Sequence, residues 1–421
     1  MKPCLPSPRT LLTAAVLLAT TLLHADPTLP GQDLFGPHGP YVTCRIPGLV
    51  VTGKGSILAY CEARQGLKGD WNPEDFLYRR STDGGRTFSP ERVLVRLPEP
   101  QPVNPLRYDL RADQGDAQVH ARTYQNLIMI PDRDTGSIHV LFEVDYWRCF
   151  YMRSDDDGAT FSTPREITDV VAGYRQKGMA WRAFGNGCGH GIQLDNGRLV
   201  EPLWLTDSSQ PHGGGHRPGN VGTIYSDDHG ATWQIGDMVA RYGPVLVNPS
   251  ETCAVQLADG RVLFNIRSEG KIHERATVTS PNGATDWTAP HFDPALYEPG
   301  CEASLLRVSR MPQKSKNRIL FSNPASHKIA EEPGHTAYAG GTGQRSNLTV
   351  FLSYDECQTW PVSRVIDPAM SAYSDLAMTS DGTIFCLYER GSRNGSKFST
   401  AALTLVHFDL AWLSGGKDDG R

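Results

Sequence analysis

One turn motif is written into this chain repeatedly. "STDGGRTF" begins at Ser81, "SDDDGATF" at Ser154, "SDDHGATW" at Ser226 and "SYDECQTW" at Ser353. All fit Ser-x-Asp-x-Gly-x-Thr-aromatic, with Cys357 in the glycine place of the last copy, and a degraded copy, "SPNGATDW", begins at Ser280. Each part has a mechanical task. The aspartate accepts backbone N–H bonds in a tight turn, the glycine takes a conformation that other residues resist, and the aromatic ring packs beneath the hairpin. Such turns, roughly 50 to 70 residues apart, mark a repeat architecture. Their role is structural, and we assign them no chemistry.

Between the copies run short apolar or alternating stretches, among them "SIHVLFEV", "GRLVEPLWL", "RVLFNIRS", "NRILFSNP" and "GTIFCLYER". Gly, Pro, Asn and Asp separate them, and no long stretch carries a helical period, so the chain is predicted to be all-β. A unit of that size holding four short strands is a propeller blade, and radial repetition protects the sheet edges. The predicted fold is a six-bladed β-propeller with Asp-box hairpin turns. No linker or composition shift divides it, so residues 26–421 form a single domain in this reading. Three insertions read as loops: 101 to 125, 210 to 220 with "QPHGGGHRPGN", and 327 to 344 with "AEEPGHTAYAGGTGQ". His212 and His216 fall in the second, whose glycines and prolines predict an exposed, flexible loop and not a metal site.

Residues 1–25 read as an export signal. Lys2 and Arg9 give a positive start, Leu11 to Leu23 a short apolar run, and Ala25 a small residue at the cut. The run is too short for a stable membrane-spanning helix, so a secreted or periplasmic protein is expected, with no stable membrane insertion after cleavage. A formal net charge of −5 with mixed signs leaves no basic footprint, which argues against nucleic acid as a partner. Nine cysteines occur, one of them (Cys4) in the signal. The spacing of Cys44, Cys61, Cys149 and Cys188 matches neither a metal pattern nor a compact bridge framework, so small buried thiols are expected.

"YVTCRIPGLV", residues 41 to 50, poses a sharper question. It reads as a buried strand, yet Arg45 lies in the middle of it. A buried arginine needs a partner, so either a carboxylate or a ligand must wait for it.

Taken together, "CRIPGLV" and the repeated turns make the chain resemble bacterial exo-α-sialidases (neuraminidases) of the six-bladed propeller type, from about Tyr41 to Phe408. The resemblance implies that Arg45, Arg267 of "LFNIRSEG" and Arg345 of "GQRSNLTVF" grip the carboxylate of a sialic acid. An arginine fork meets a carboxylate with two parallel hydrogen bonds and keeps its charge. It implies Tyr373 of "SAYSDLAM" as nucleophile and Glu251 of "NPSETCAV" as the carboxylate that takes the phenol proton. A neutral phenol avoids driving one carboxylate against the substrate's own. Asp70 of "LKGDWNPED" is implied as acid/base, with Glu74 and Asp75 nearby as competitors. Arg64 resembles an extra pocket arginine, and Glu389 the carboxylate that orients Arg45. Taken singly, each of these is an ordinary ion-paired, packing or surface residue; their joint order carries the resemblance.

The activity so implied is retaining hydrolysis of terminal α-linked sialic acids from sialylated glycans, with no cofactor and no metal. Two other readings stay open: a non-catalytic sialoglycan-binding propeller, and a trans-sialidase or related acidic-sugar hydrolase. Cys188 with His190 is not read as a nucleophile pair, since neighbours in sequence need not pair in space.

Overall fold

The computed structural model describes Met1 and residues 29–67, 69–99, 101–109, 123–187, 189–210, 215–328, 343–396 and 399–421. The expected export segment beyond Met1, Cys188 and His212 lie outside them, as does most of the third insertion. β1 (Gln32–Phe35) pairs with a strand far ahead in sequence. The sheet units proper start with β2 (Thr43–Val51), β3 (Ile57–Arg64), β4 (Glu74–Ser81) and β5 (Arg92–Val93), followed by β6 (Tyr124–Pro131), β7 (Ile138–Val144), β8 (Arg148–Ser154) and β9 (Arg165–Glu166). In the third, β10 (Ala183–Asn186) and β11 (Ile192–Gln193) both pair with β12 (Leu199–Thr206), which continues into β13 (Gly219–Ser226) and β14 (Gln234–Ile235). The fourth is β15 (Thr252–Gln256), β16 (Val262–Ile266), β17 (Glu274–Ser280) and β18 (His291–Tyr297).

A larger sheet holds the rest. β19 (Ser304–Ser309), β20 (Arg318–Pro324) and β21 (Ser346–Ser353) pair with the first half of the long strand β22 (Val362–Met378). Its second half, from Ser371, pairs with β23 (Ile384–Ser392), then β24 (Thr400–Phe408), and β1 lies antiparallel to β24 as the outermost strand. The innermost strands touch in a closed circuit: β2 with β6, β6 with β10 and β11, β11 with β15, β15 with β19, β19 with β22, and β22 with β2. Dividing β22 at Ser371 gives six units around that ring.

Every copy of the turn motif joins the third strand of a unit to its fourth. In the first, Asp83 Oδ1 accepts from the Thr87 N–H at 3.0 Å and Ser81 Oγ accepts from the Gly85 N–H at 2.9 Å. The copies at Ser154, Ser226 and Ser353 repeat these bonds. In the degraded copy, Asn282 takes the place of the aspartate and accepts from the Thr285 N–H at 2.9 Å. The core lies between neighbouring sheets: Leu58, Tyr60 and Phe76 of the first unit pack against Met129, Val140 and Phe142 of the second. Leu49 and Ile57 meet Leu387 and Leu403 where the ring closes. The described cysteines are all free thiols, buried except for the half-buried Cys357. No helix among the described residues is long and apolar enough to cross a membrane.

Candidate active site

All eight side chains singled out in the sequence lie at one end of the ring. The local reason is clearest at Arg45. The β2–β3 ladder pairs Arg45 with Glu62 and then jumps to Gly48 with Tyr60, so Ile46 and Pro47 form a bulge. Ile46 sits at φ 56°, a left-handed conformation rare for a β-branched residue. A Cβ at Gly48 would come within 1.9 Å of the Tyr60 ring, so only glycine lets the strand resume. Bulges of this kind re-aim side chains beside functional sites.

Arg45 is 2 % exposed, and the carboxylate it requires is Glu389. The guanidinium Nε donates to Glu389 Oε1 at 3.0 Å and Nη2 to Oε2 at 3.3 Å, while the Ile46 N–H of the bulge donates to the same Oε1 at 3.1 Å. Glu389 is buried on β23, away from water. Arg45 Nη1 stands 4.0 Å from Asp70 Oδ1.

Tyr373, near the start of the inner half of β22, is the hub. Its hydroxyl donates to Glu251 Oε1 and accepts from Arg267 Nη1 at 2.9 Å, while the same Nη1 donates to Glu251 Oε2. The guanidinium carbons of Arg45 and Arg345 each lie 5.1 Å from the centre of the tyrosine ring. Arg345, just before β21, donates through Nη2 to the Gly300 carbonyl; its Nε and Nη1 are buried with no hydrogen-bond partner among the described residues. Burial pushes the Glu251 carboxyl up, but Arg267, the Tyr373 hydroxyl and Arg345 outweigh it and hold it below the usual glutamate range.

Asp70 lies on the loop between β3 and β4, with its side chain 29 % exposed. Arg64 Nη1 donates to its Oδ1 at 2.6 Å. Burial raises this carboxyl too, and Arg64, His216 and Arg45 together bring it well below the ordinary aspartate value. Its two competitors are engaged elsewhere: Glu74 is ion-paired with Arg64 at 3.0 Å, and Asp75 accepts from the Tyr41 hydroxyl at 2.7 Å. Arg64 also donates to Glu62 at 2.7 Å, so three carboxylates surround it.

Several supporting residues carried no signal in the sequence. Arg217 meets Glu269 through two bonds of 2.6 and 2.7 Å, and Glu269 in turn accepts from Asn248 and stands 3.6 Å from Arg267. Arg107, in helix α1 (Leu106–Asp109) of the first insertion, is fully buried; it donates to the Trp71 carbonyl at 2.9 Å and to Asp145 at 3.0 Å. That part of the insertion therefore props the Asp70 loop. At His216 the second insertion is not the exposed loop expected from its composition. The imidazole packs among Trp71, Tyr146 and Trp204, with Nδ1 3.9 Å from Asp70 Oδ2. Three aromatic rings distant in sequence make that wall, which is why glycine and proline content alone misjudged it. His190 bonds Asp375 at 2.7 Å.

No metal-ligand cluster of the described residues involves the site. Asp132, Asp134 and His229 lie within 4.8 Å of one another elsewhere, where Asp132 already accepts from His229, Gln193 and the N–H groups of Asp134 and Thr135.

A ring of antiparallel sheets stapled by Asp-box turns, with arginines, a tyrosine and carboxylates gathered at one end, defines a sialidase-type β-propeller. The sequence matches the BNR repeat-like domain over residues 110–386, and the chain belongs to that family. It is 29% identical over 405 residues to a sialidase of Micromonospora viridifaciens, covering 93% of this chain and 55% of that protein. It thus spans little more than half the length of that relative. With Sialidase-3 of Mus musculus it shares 26% identity, covering 84% of this chain and 88% of the other. The structure of the Hadza microbial sialidase Hz136 superposes with a TM-score of 0.65 at 26% identity, covering 88% of this chain and 66% of that one. A leech intramolecular trans-sialidase, complexed with 2,7-anhydro-Neu5Ac, has the same fold at a TM-score of 0.70 and 18% identity, covering 92% and 71%.

Proposed function

We propose that this chain is a secreted or periplasmic exo-α-sialidase that hydrolyses terminal α-linked sialic acids from glycans with retention of configuration. The observation that carries the reading is the Tyr373 hydroxyl held between Glu251 and Arg267, with Arg45 and Arg345 flanking its ring. Arg45, Arg267 and Arg345 take the substrate carboxylate and hold it as the ring flattens toward an oxocarbenium-like state. Asp70 gives its proton to the glycosidic oxygen as that bond breaks. Tyr373 forms a bond to the anomeric carbon and passes its proton to Glu251. Water then attacks the same carbon, losing a proton to Asp70, and the tyrosine leaves with its proton returned by Glu251. Sialidases are the tyrosine exception among glycosidases that otherwise use two carboxylates.

Export is supported by the positive and apolar pattern of residues 1–25. The test is turnover of a fluorogenic α-sialoside by the purified chain and by Tyr373→Phe. The parent should release free sialic acid, first as the α-anomer by proton NMR, and the variant should lose roughly 10³-fold in kcat. A folded parent that binds sialosides without turnover on any linkage would instead make it a glycan-binding propeller; transfer to an added acceptor would make it a transferase.

A further inference from the structure

Asp70 presents two oxygens to different surroundings. Oδ1 is occupied by Arg64 at 2.6 Å and lies 4.0 Å from Arg45, whereas the neighbour of Oδ2 is His216 Nδ1 at 3.9 Å. A proton destined for a leaving group cannot ride on an oxygen already bonded to a guanidinium, so Oδ2 is the edge that does the work. His216 is held on its other sides by aromatic rings: Trp71 stacks at 6.1 Å between centroids, and Tyr146 and Trp204 meet it edge-on at 4.8 and 5.3 Å. Its Nε2 is buried with no hydrogen-bond partner among the described residues. The polar business of this imidazole is therefore at Nδ1.

We propose that His216 is a positioning residue for the acid/base, fixing the Oδ2 edge of Asp70 toward the leaving-group oxygen. This rests on the reading of Asp70 as the acid/base. The 3.9 Å separation lies outside hydrogen-bond range, and catalytic contacts of this kind tighten when substrate is bound. The charged groups facing His216 are Asp70, Arg217, Glu251 and Arg267. Burial pushes its imidazole down to about 4, against the opposing pull of Asp70 and Glu251 and with smaller help from Arg217 and Arg267. At neutral pH the imidazole is uncharged, so it faces Asp70 without adding a positive charge to those of Arg64 and Arg45.

The test compares two leaving groups. The lactose of sialyllactose would leave as an alkoxide and needs its oxygen protonated; the acidic phenol of an aryl sialoside does not. His216→Phe, which keeps the aromatic packing, should lower kcat on sialyllactose by about tenfold, with less than a twofold change on the aryl sialoside. The alkaline limb of its sialyllactose pH profile should shift as well. His216→Asn, whose side chain can still bond Asp70, should recover most of the loss. Equal losses on both substrates, or none on either, would overturn the proposal. An inactive parent would overturn the functional reading and this inference with it.

Discussion

That Arg45 needs an anionic partner was legible for a chemical reason, since a guanidinium inside an apolar strand cannot stand alone, whereas Glu389 as that partner was readable only through the resemblance. They are 344 residues apart in sequence and 3.0 Å apart in space. Removing one member of a buried ion pair leaves the other charge uncompensated, so Glu389→Ala should cost about 3–5 kcal/mol in chemical denaturation and weaken sialoside binding. A loss below about 1 kcal/mol would mean that solvent or another carboxylate already serves Arg45. Tyr373, Glu251, Arg267 and Arg345 were readable only through the resemblance, because no local pattern distinguishes a nucleophilic tyrosine from a packing one. Glu62, Glu269 and Arg217 gave no signal at all. Each owes its place to contacts between strands that the one-dimensional chain keeps apart.

The turn motifs show what an element-level pattern does and does not reveal. Their internal hydrogen bonds follow from residue type, and the structure has them. What the pattern hides is that the same turns also join neighbouring units. Asp157, inside the second copy, is buried and accepts from Thr52, from Ser56 at 2.7 Å and from Arg80 at 2.5 Å, all on the first unit. Gly158 beside it has φ 78°, and an added Cβ would come within 2.7 Å of Leu58. Gly158→Ala should therefore cost about 2 kcal/mol, from the left-handed backbone and the crowding together, read as a fall in denaturation midpoint. An unchanged midpoint would show that the interface between the two units yields freely. Six units carry only five copies of the motif because the last is completed by β1, which arrives from the other end of the described chain and needs no turn.

At the scale of the molecule, closing the ring buries carboxyl groups that no sequence rule would place inside. Glu302 is 1 % exposed, and neither of its oxygens has a hydrogen-bond partner among the described residues. Burial, then Asp375, Glu251 and Glu389, push its carboxyl well above the usual range; burial likewise raises Glu143 and Glu201. A Cβ at Gly191 would come within 2.5 Å of Glu201, which keeps that approach open only to glycine. Such groups are neutral when folded and ionise on unfolding above about pH 4.3, so the folded state binds more protons and loses stability as pH rises from there. Glu302→Gln removes one of these groups. Its melting temperature should fall less than the parent's between pH 5 and 8, and at pH 8 it should exceed the parent's. Parallel pH curves for the two proteins would refute the assignment.

The sequence by itself determined the turns, the strand periodicity and hence the all-β ring, because these depend on backbone preferences and on which residues within a few positions can bond or pack. It also determined that Arg45 needs a carboxylate. Only the tertiary structure brought Glu389 to that guanidinium, set His216 facing Asp70, and made Arg107 brace the loop carrying it. Those contacts join residues that chain proximity never brings together, and their energies exist only once the sheets have closed on one another.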